Sequence, residues 1–154
     1  MMNNNGSAYT TAEAQLRENG VYMSNTIGHS MEPFLCHHRD AVVISRPMGK
    51  IKKYDVVLYR GKPGSYILHR VISVKGDNLV IRGDNTFVKE YKTASDVVGV
   101  LTSFVRDGKR GEVTDRGYRF YSRFWNFIYP LRAALRAVRL FLGRLKRKLF
   151  GSKK

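Results

Sequence analysis

Between Val21 and Val105 the chain breaks into short runs rich in Val, Ile and Tyr, each closed by Gly, Pro, Asn or Asp. That texture limits the fold more than any other feature. The runs are Tyr22–Ile27, Ala41–Ser45, Asp55–Tyr59, Tyr66–Val74, Leu79–Ile81 and Val97–Phe104. Six strands of this length predict a mainly β domain, a small folded β-sheet or barrel. Lys75-Gly76-Asp77-Asn78 reads as a hairpin turn between the fourth and fifth runs. Ahead of the strands, Thr10 to Glu13 fits a capping box opening a short helix through Asn19, with Gly20 as its left-handed stop. Residues 1–9 are polar and read as a frayed N-terminus, with no cationic start leading into an apolar run.

After the strands the pattern changes. Phe120, Phe124, Phe127, Leu131, Leu135, Val138, Leu142, Leu145 and Leu149 recur at three or four residues, the period of one helix face. Pro130 suits a first helical turn, so a break is expected near Tyr129. The chain carries 28 Lys and Arg against 12 Asp and Glu, a net +16. Eleven of those cations and none of the acids lie between Tyr118 and Lys154. The division expected is therefore a β-rich domain over 10–117 and a basic amphipathic helical tail over 118–154. Its hydrophobic share of 43% excludes a disordered chain, and its single cysteine, Cys36, excludes an internal disulfide.

Chemistry concentrates in three segments. Gly28-His29-Ser30-Met31-Glu32-Pro33 puts a serine on a tight corner after a β-run, where it can serve as a nucleophile or simply cap the turn. Ile67-Leu68-His69-Arg70-Val71-Ile72 sets a histidine inside an apolar strand, and Arg82-Gly83-Asp84-Asn85 follows the next strand. A serine hydroxyl attacks well only when a neighbouring base takes its proton. Histidine titrates near 6.5 and can act as that base at neutral pH without the large depression a lysine needs. It profits from a carboxylate that fixes its tautomer.

In this order and spacing, the Gly-x-Ser-Met-x-Pro run, the His-Arg-Val-Ile strand and the Gly-Asp-Asn turn resemble type I signal peptidases. They are closest to the branch of the endoplasmic-reticulum complex and of some Gram-positive bacteria and archaea, which has histidine where most bacterial enzymes have lysine. The resemblance covers about residues 24–104, including Asp96-Val97-Val98-Gly99. It implies a β-fold of the signal-peptidase (LexA-like) type and a serine endopeptidase that cleaves leader or signal peptides after small residues. By the same resemblance, Ser30 is the nucleophile and His69 its general base. Asp84 is the favoured acid and Glu90 the alternative orienter. Gly28 stands where some members have a serine hydroxyl in the oxyanion hole, so backbone N–H groups, including that of Ser30, would do this work. Met31 would pack beneath the site and help line the pocket for small side chains. No cofactor is implied.

Cys36-His37-His38 lacks the second cluster a tetrahedral metal site needs and reads as a solvated loop. The tail reads as an interfacial helix on an anionic membrane surface, with Trp125, Arg132, Arg136, Arg139 and Arg147 as membrane contacts and Tyr121 and Tyr129 as further aromatic anchors. Its cations make spanning unfavourable, at about 2.5–3.5 kcal/mol each at the bilayer centre. With no apolar anchor ahead of the first strand, the expected location is the cytoplasmic face of the membrane, with the extracytoplasmic face as the alternative. Two other readings compete: a self-cleaving regulator of the related repressor-protease type, and a non-catalytic basic module for anionic membrane or nucleic acid.

Overall fold

A computed structural model describes residues 11–150; the N-terminal segment 1–9 lies outside them. Helix α1 (Ala12–Asn19) opens at Thr11, one residue later than the capping-box reading, with the Thr11 hydroxyl accepting from the Ala14 N–H at 3.2 Å. Thr10 lies outside the described residues, and Glu13 sits in the first turn of the helix. Its carboxylate pairs with Arg60 at 2.7 Å, a tertiary partner invisible to a local motif. Gly20, at φ 73°, ends the helix in the left-handed conformation.

Eight strands follow: β1 (Val21–Asn25), β2 (Ala41–Ser45), β3 (Val56–Arg60), β4 (Tyr66–Lys75), β5 (Asn78–Arg82), β6 (Glu90–Thr93), β7 (Val97–Arg106) and β8 (Lys109–Glu112). They form one open, curled antiparallel sheet in the order β1-β2-β7-β3-β4-β5-β6, with β8 pairing β7 off that path. The β4–β5 hairpin turns at Gly76-Asp77, with Lys75 opposite Asn78. The sequence pattern misses β6 and β8. Both are four-residue strands, Glu-Tyr-Lys-Thr and Lys-Arg-Gly-Glu, and charged side chains hide such segments from a search for β-branched alternation.

The central strand β3 feeds two cores, because successive side chains of a strand point to opposite faces. Val56 and Leu58 join Leu16, Met31, Phe34, Leu35, Ile44 and Leu101 on one face. Val57 and Tyr59 join Val71, Leu79 and Ile81 on the other. Hence β3 reads as an unbroken apolar run rather than an alternating one.

The tail is two helices, α2 (Arg116–Phe127) and α3 (Tyr129–Phe150), interrupted at Ile128, with Pro130 in the first turn of α3. Amide-to-carbonyl bonds from Ile128 to Phe124 and from Arg132 to Ile128 carry the helical direction across the break. The boundary expected at residue 118 does not separate body from tail. Tyr118 and Tyr121 pack against the first core, and Ser122 is buried.

What fastens α2 to the sheet is Arg70, fully buried on β4. Its Nε and Nη2 donate to the two carboxylate oxygens of Asp84, both at 2.8 Å. Its Nη1 reaches the Tyr54 carbonyl, the Tyr118 hydroxyl and the Ser122 hydroxyl. The rings of Phe34, Tyr118 and Tyr121 surround the guanidinium. Removing one member of a buried pair strands the other charge. Arg70→Leu should therefore cost about 3–5 kcal/mol in urea unfolding, and Arg70→Leu/Asp84→Leu should recover much of that loss.

Candidate active site

The site forms where the turn after β1 meets the turn after β5. Gly28, at φ 94°, takes a backbone conformation that a side chain disfavours and swings the chain into the corner that carries Ser30. The Gly28 N–H donates to His37 Nδ1 at 2.8 Å, so His37 holds this corner as a neutral imidazole. Desolvation first, then the neighbouring His38, keep the His37 pKa below its ordinary value. The bond to His37 engages the Gly28 N–H within the corner itself. Met31 is buried under the corner in the first core.

Asn85 clamps the corner from the other side. Its backbone N–H donates to the Ser30 carbonyl at 2.8 Å and its side-chain amide to the His29 carbonyl at 3.1 Å. Gly83 is the point of closest approach. A methyl group there would lie 2.5 Å from the Ser30 carbonyl oxygen and 2.9 Å from His69 Nε2. The serine backbone and the imidazole thus flank the same bare Cα.

His69, on β4, is only 6% exposed. Its Nδ1 lies 2.9 Å from Glu90 Oε1 and 3.2 Å from the Tyr59 hydroxyl, which donates to Glu90 Oε2 at 2.8 Å. A proton on Nδ1 satisfies the carboxylate and leaves Nε2 as the free lone pair beside Gly83. Desolvation lowers the His69 pKa below its ordinary 6.5, against the upward pull of Glu90 and, more weakly, Asp84. The ring is therefore neutral at pH 7 and able to accept a proton. Burial, then the bond to Glu90, pushes the Tyr59 pKa far up, which keeps this hydroxyl a donor.

The structure brings Glu90, not the favoured Asp84, onto the imidazole. The pleat decides this. His69 and Arg70 are neighbours on β4 and point to opposite faces. Asp84 turns to the Arg70 face. Glu90 stands opposite Ile81, whose neighbour across the sheet is Val71, on the His69 face. Tyr59, which sequence reasoning missed, is on that face too, diagonal to His69 in a register that pairs Val57 with His69. The β3–β4 hairpin pattern held the signal for it, since residues two apart share a face.

The expected membrane aromatics also lie elsewhere. The Trp125 indole donates to the Asp84 carbonyl at 2.9 Å and the Tyr121 hydroxyl to the Asp84 carboxylate. Arg82 stacks over the Tyr129 ring at 3.4 Å. Arg132 donates to the same Asp84 carbonyl and stacks on Trp125, and Arg136 stacks on Phe87. Tyr121, Trp125, Tyr129 and Arg132 turn inward because their polar tips find acceptors in the loop from Asp84 to Phe87, whereas Arg136 stays exposed. Arg139 and Arg147 remain exposed.

A cavity of about 370 Å³ opens beside Ser30, lined by Gly28, Met31, Leu35, Leu58, Tyr66 and Leu68 among others. It adjoins β1, whose only strand partner among the described residues is β2. Among the described residues no group of three His, Cys, Asp or Glu is arranged to hold a metal ion. No protein-family model matches the chain, and no curated protein matches it.

Gly83→Ala should separate the imidazole from the Ser30 turn by steric displacement alone. The backbone there needs no positive φ, so circular dichroism should stay native. The two-dimensional NMR signals of His69 should shift.

Proposed function

We propose that this protein is a serine endopeptidase of the signal-peptidase type, with Ser30 as nucleophile, His69 as general base and Glu90 as the acid that orients it. The observation that carries the reading is the polarised imidazole, held by Glu90 through Nδ1, with Nε2 beside the same Gly83 that abuts the Ser30 carbonyl. Family resemblance alone prefers Asp84; the contacts of His69 favour Glu90. A β-fold of the LexA-like type is part of the same reading.

In this mechanism the Ser30 hydroxyl adds to the scissile carbonyl while its proton passes to His69 Nε2. The imidazolium that forms is stabilised by Glu90, which also keeps the ring from rotating. The Ser30 N–H is the backbone donor facing the oxyanion. Collapse breaks the C–N bond as Nε2 returns the proton to the leaving amine, giving an acyl-serine. Water then adds to the ester with His69 again as base, releasing the acid product and the serine. A peptide running along β1 would seat small apolar side chains in the cavity beside Ser30, as resemblance to the family implies. The substrate class is a leader or signal peptide with small residues at positions −1 and −3.

The test is cleavage of a fluorogenic leader peptide with alanine at both positions. Ser30→Ala and His69→Ala should each abolish turnover while thermal unfolding stays native-like; full activity in Ser30→Ala overturns the proposal. Glu90→Gln should lower kcat by about 10²–10⁴-fold, whereas Asp84 variants should act chiefly through stability.

The pH profile provides a second check. Neutral His69 is the active form, so activity is full at neutral pH and falls as acid protonates Nε2, with a midpoint below 6.5 because burial depresses the pKa. Glu90→Gln removes a group that favours imidazolium and should move that midpoint still lower.

A further inference from the structure

Helices α2 and α3 present two different faces. The inner one, Tyr118, Tyr121, Ser122, Trp125, Tyr129 and Arg132, is committed to the Arg70–Asp84 region. The outer one is an apolar stripe that continues through the break at Ile128. Phe127 is 82% exposed, Leu131 62% and Leu135 57%, and Phe124, Val138, Leu142 and Leu145 prolong the stripe. The stripe therefore does not serve to pack the tail on the body.

Charge says what suits that face. Arg139, Arg144, Lys146, Arg147 and Lys148 are exposed around it, and no acidic residue follows Asp115 anywhere in the chain. A second copy would bring two cationic tails together, which Coulomb repulsion opposes. Nucleic acid would satisfy the cations and leave the phenylalanines and leucines in water. An anionic bilayer takes both, with acyl chains under the apolar stripe and headgroups against the cations. No helix among the described residues is long and apolar enough to cross a membrane.

We propose that the outer face of α2–α3 docks on an anionic lipid bilayer, lying in the interfacial plane, while its inner face stays fastened to the Asp84 turn. Docking and the catalytic corner then share one rigid connection. Trp125 and Arg132 both hold the Asp84 carbonyl, and the next residue, Asn85, holds Ser30. The proposal goes beyond the peptidase reading, and its test needs no enzymatic activity.

The full chain is mixed with vesicles of phosphatidylcholine, with and without phosphatidylglycerol, and binding is read by sedimentation. Binding should require the anionic lipid and weaken as salt rises. Phe127→Ser/Leu131→Ser/Leu135→Ser should reduce partitioning at least tenfold, with circular dichroism reporting that the exposed substitutions leave the fold intact. Arg139→Gln/Arg144→Gln/Arg147→Gln should reduce it roughly a hundredfold. Orientation is read with brominated lipid. Trp125, the sole tryptophan, should escape quenching, whereas Phe127→Trp should add a signal that is quenched. Equal quenching of Trp125 would mean the helix leaves the body and would overturn the proposed geometry. Binding to a random DNA duplex without vesicle binding, or dimerisation that hides the stripe, would overturn the docking itself.

Discussion

A guanidinium with no access to water organises this molecule. Arg70 cannot shed its charge, so burying it requires a counter-ion and acceptors for its remaining donors. Asp84 supplies the first in bidentate geometry; Tyr54, Tyr118 and Ser122 supply the rest. Those partners come from the loop before β3, the turn after β5 and helix α2. One side chain thus fixes three elements relative to the strand that bears His69. A hydrophobic residue at 70 could fill the volume but could not dictate where the Asp84 turn sits.

That placement gives Asp84 and Glu90 different work. Asp84 neutralises Arg70, while its backbone carbonyl anchors Trp125 and Arg132. Glu90 reaches the other face of the sheet and meets the imidazole with Tyr59. Gly83 stands between the imidazole and the Ser30 turn, where any side chain would collide with the Ser30 carbonyl. Two adjacent positions on β4 therefore serve two purposes, one electrostatic and structural, the other aimed at the candidate dyad. The separation is a direct result of the strand pleat.

Helix α2 uses the same division at helical period. Its Tyr, Ser and Trp positions find polar partners on the body, whereas Phe120, Phe124 and Phe127 face outward. An aromatic residue with a polar tip gains more from a buried acceptor than phenylalanine does. This reverses the intuition that the most apolar side of an amphipathic helix must face its own protein. It also explains why Trp125 and Arg132, which resemble interfacial anchors by type and position, are instead parts of the site's support.

Local chemistry in the sequence determined the strand-rich body, the Gly76-Asp77 turn, the left-handed Gly20, and the helical period of the tail, because each depends on neighbours within a few residues. The three motifs carrying Ser30, His69 and the Gly83 turn were legible for the same reason. The pairing of carboxylates was not. Whether Asp84 or Glu90 meets His69 depends on strand β6, whose Glu-Tyr-Lys-Thr sequence gives no apolar signal, and on a cross-sheet register linking residues 71, 81 and 90 on the His69 face. Likewise, the inward turn of Trp125 depends on a carbonyl forty-one positions away. Only tertiary structure decides such contacts, since they are set by which faces and loops the folded sheet brings together, not by the order of residues along the chain.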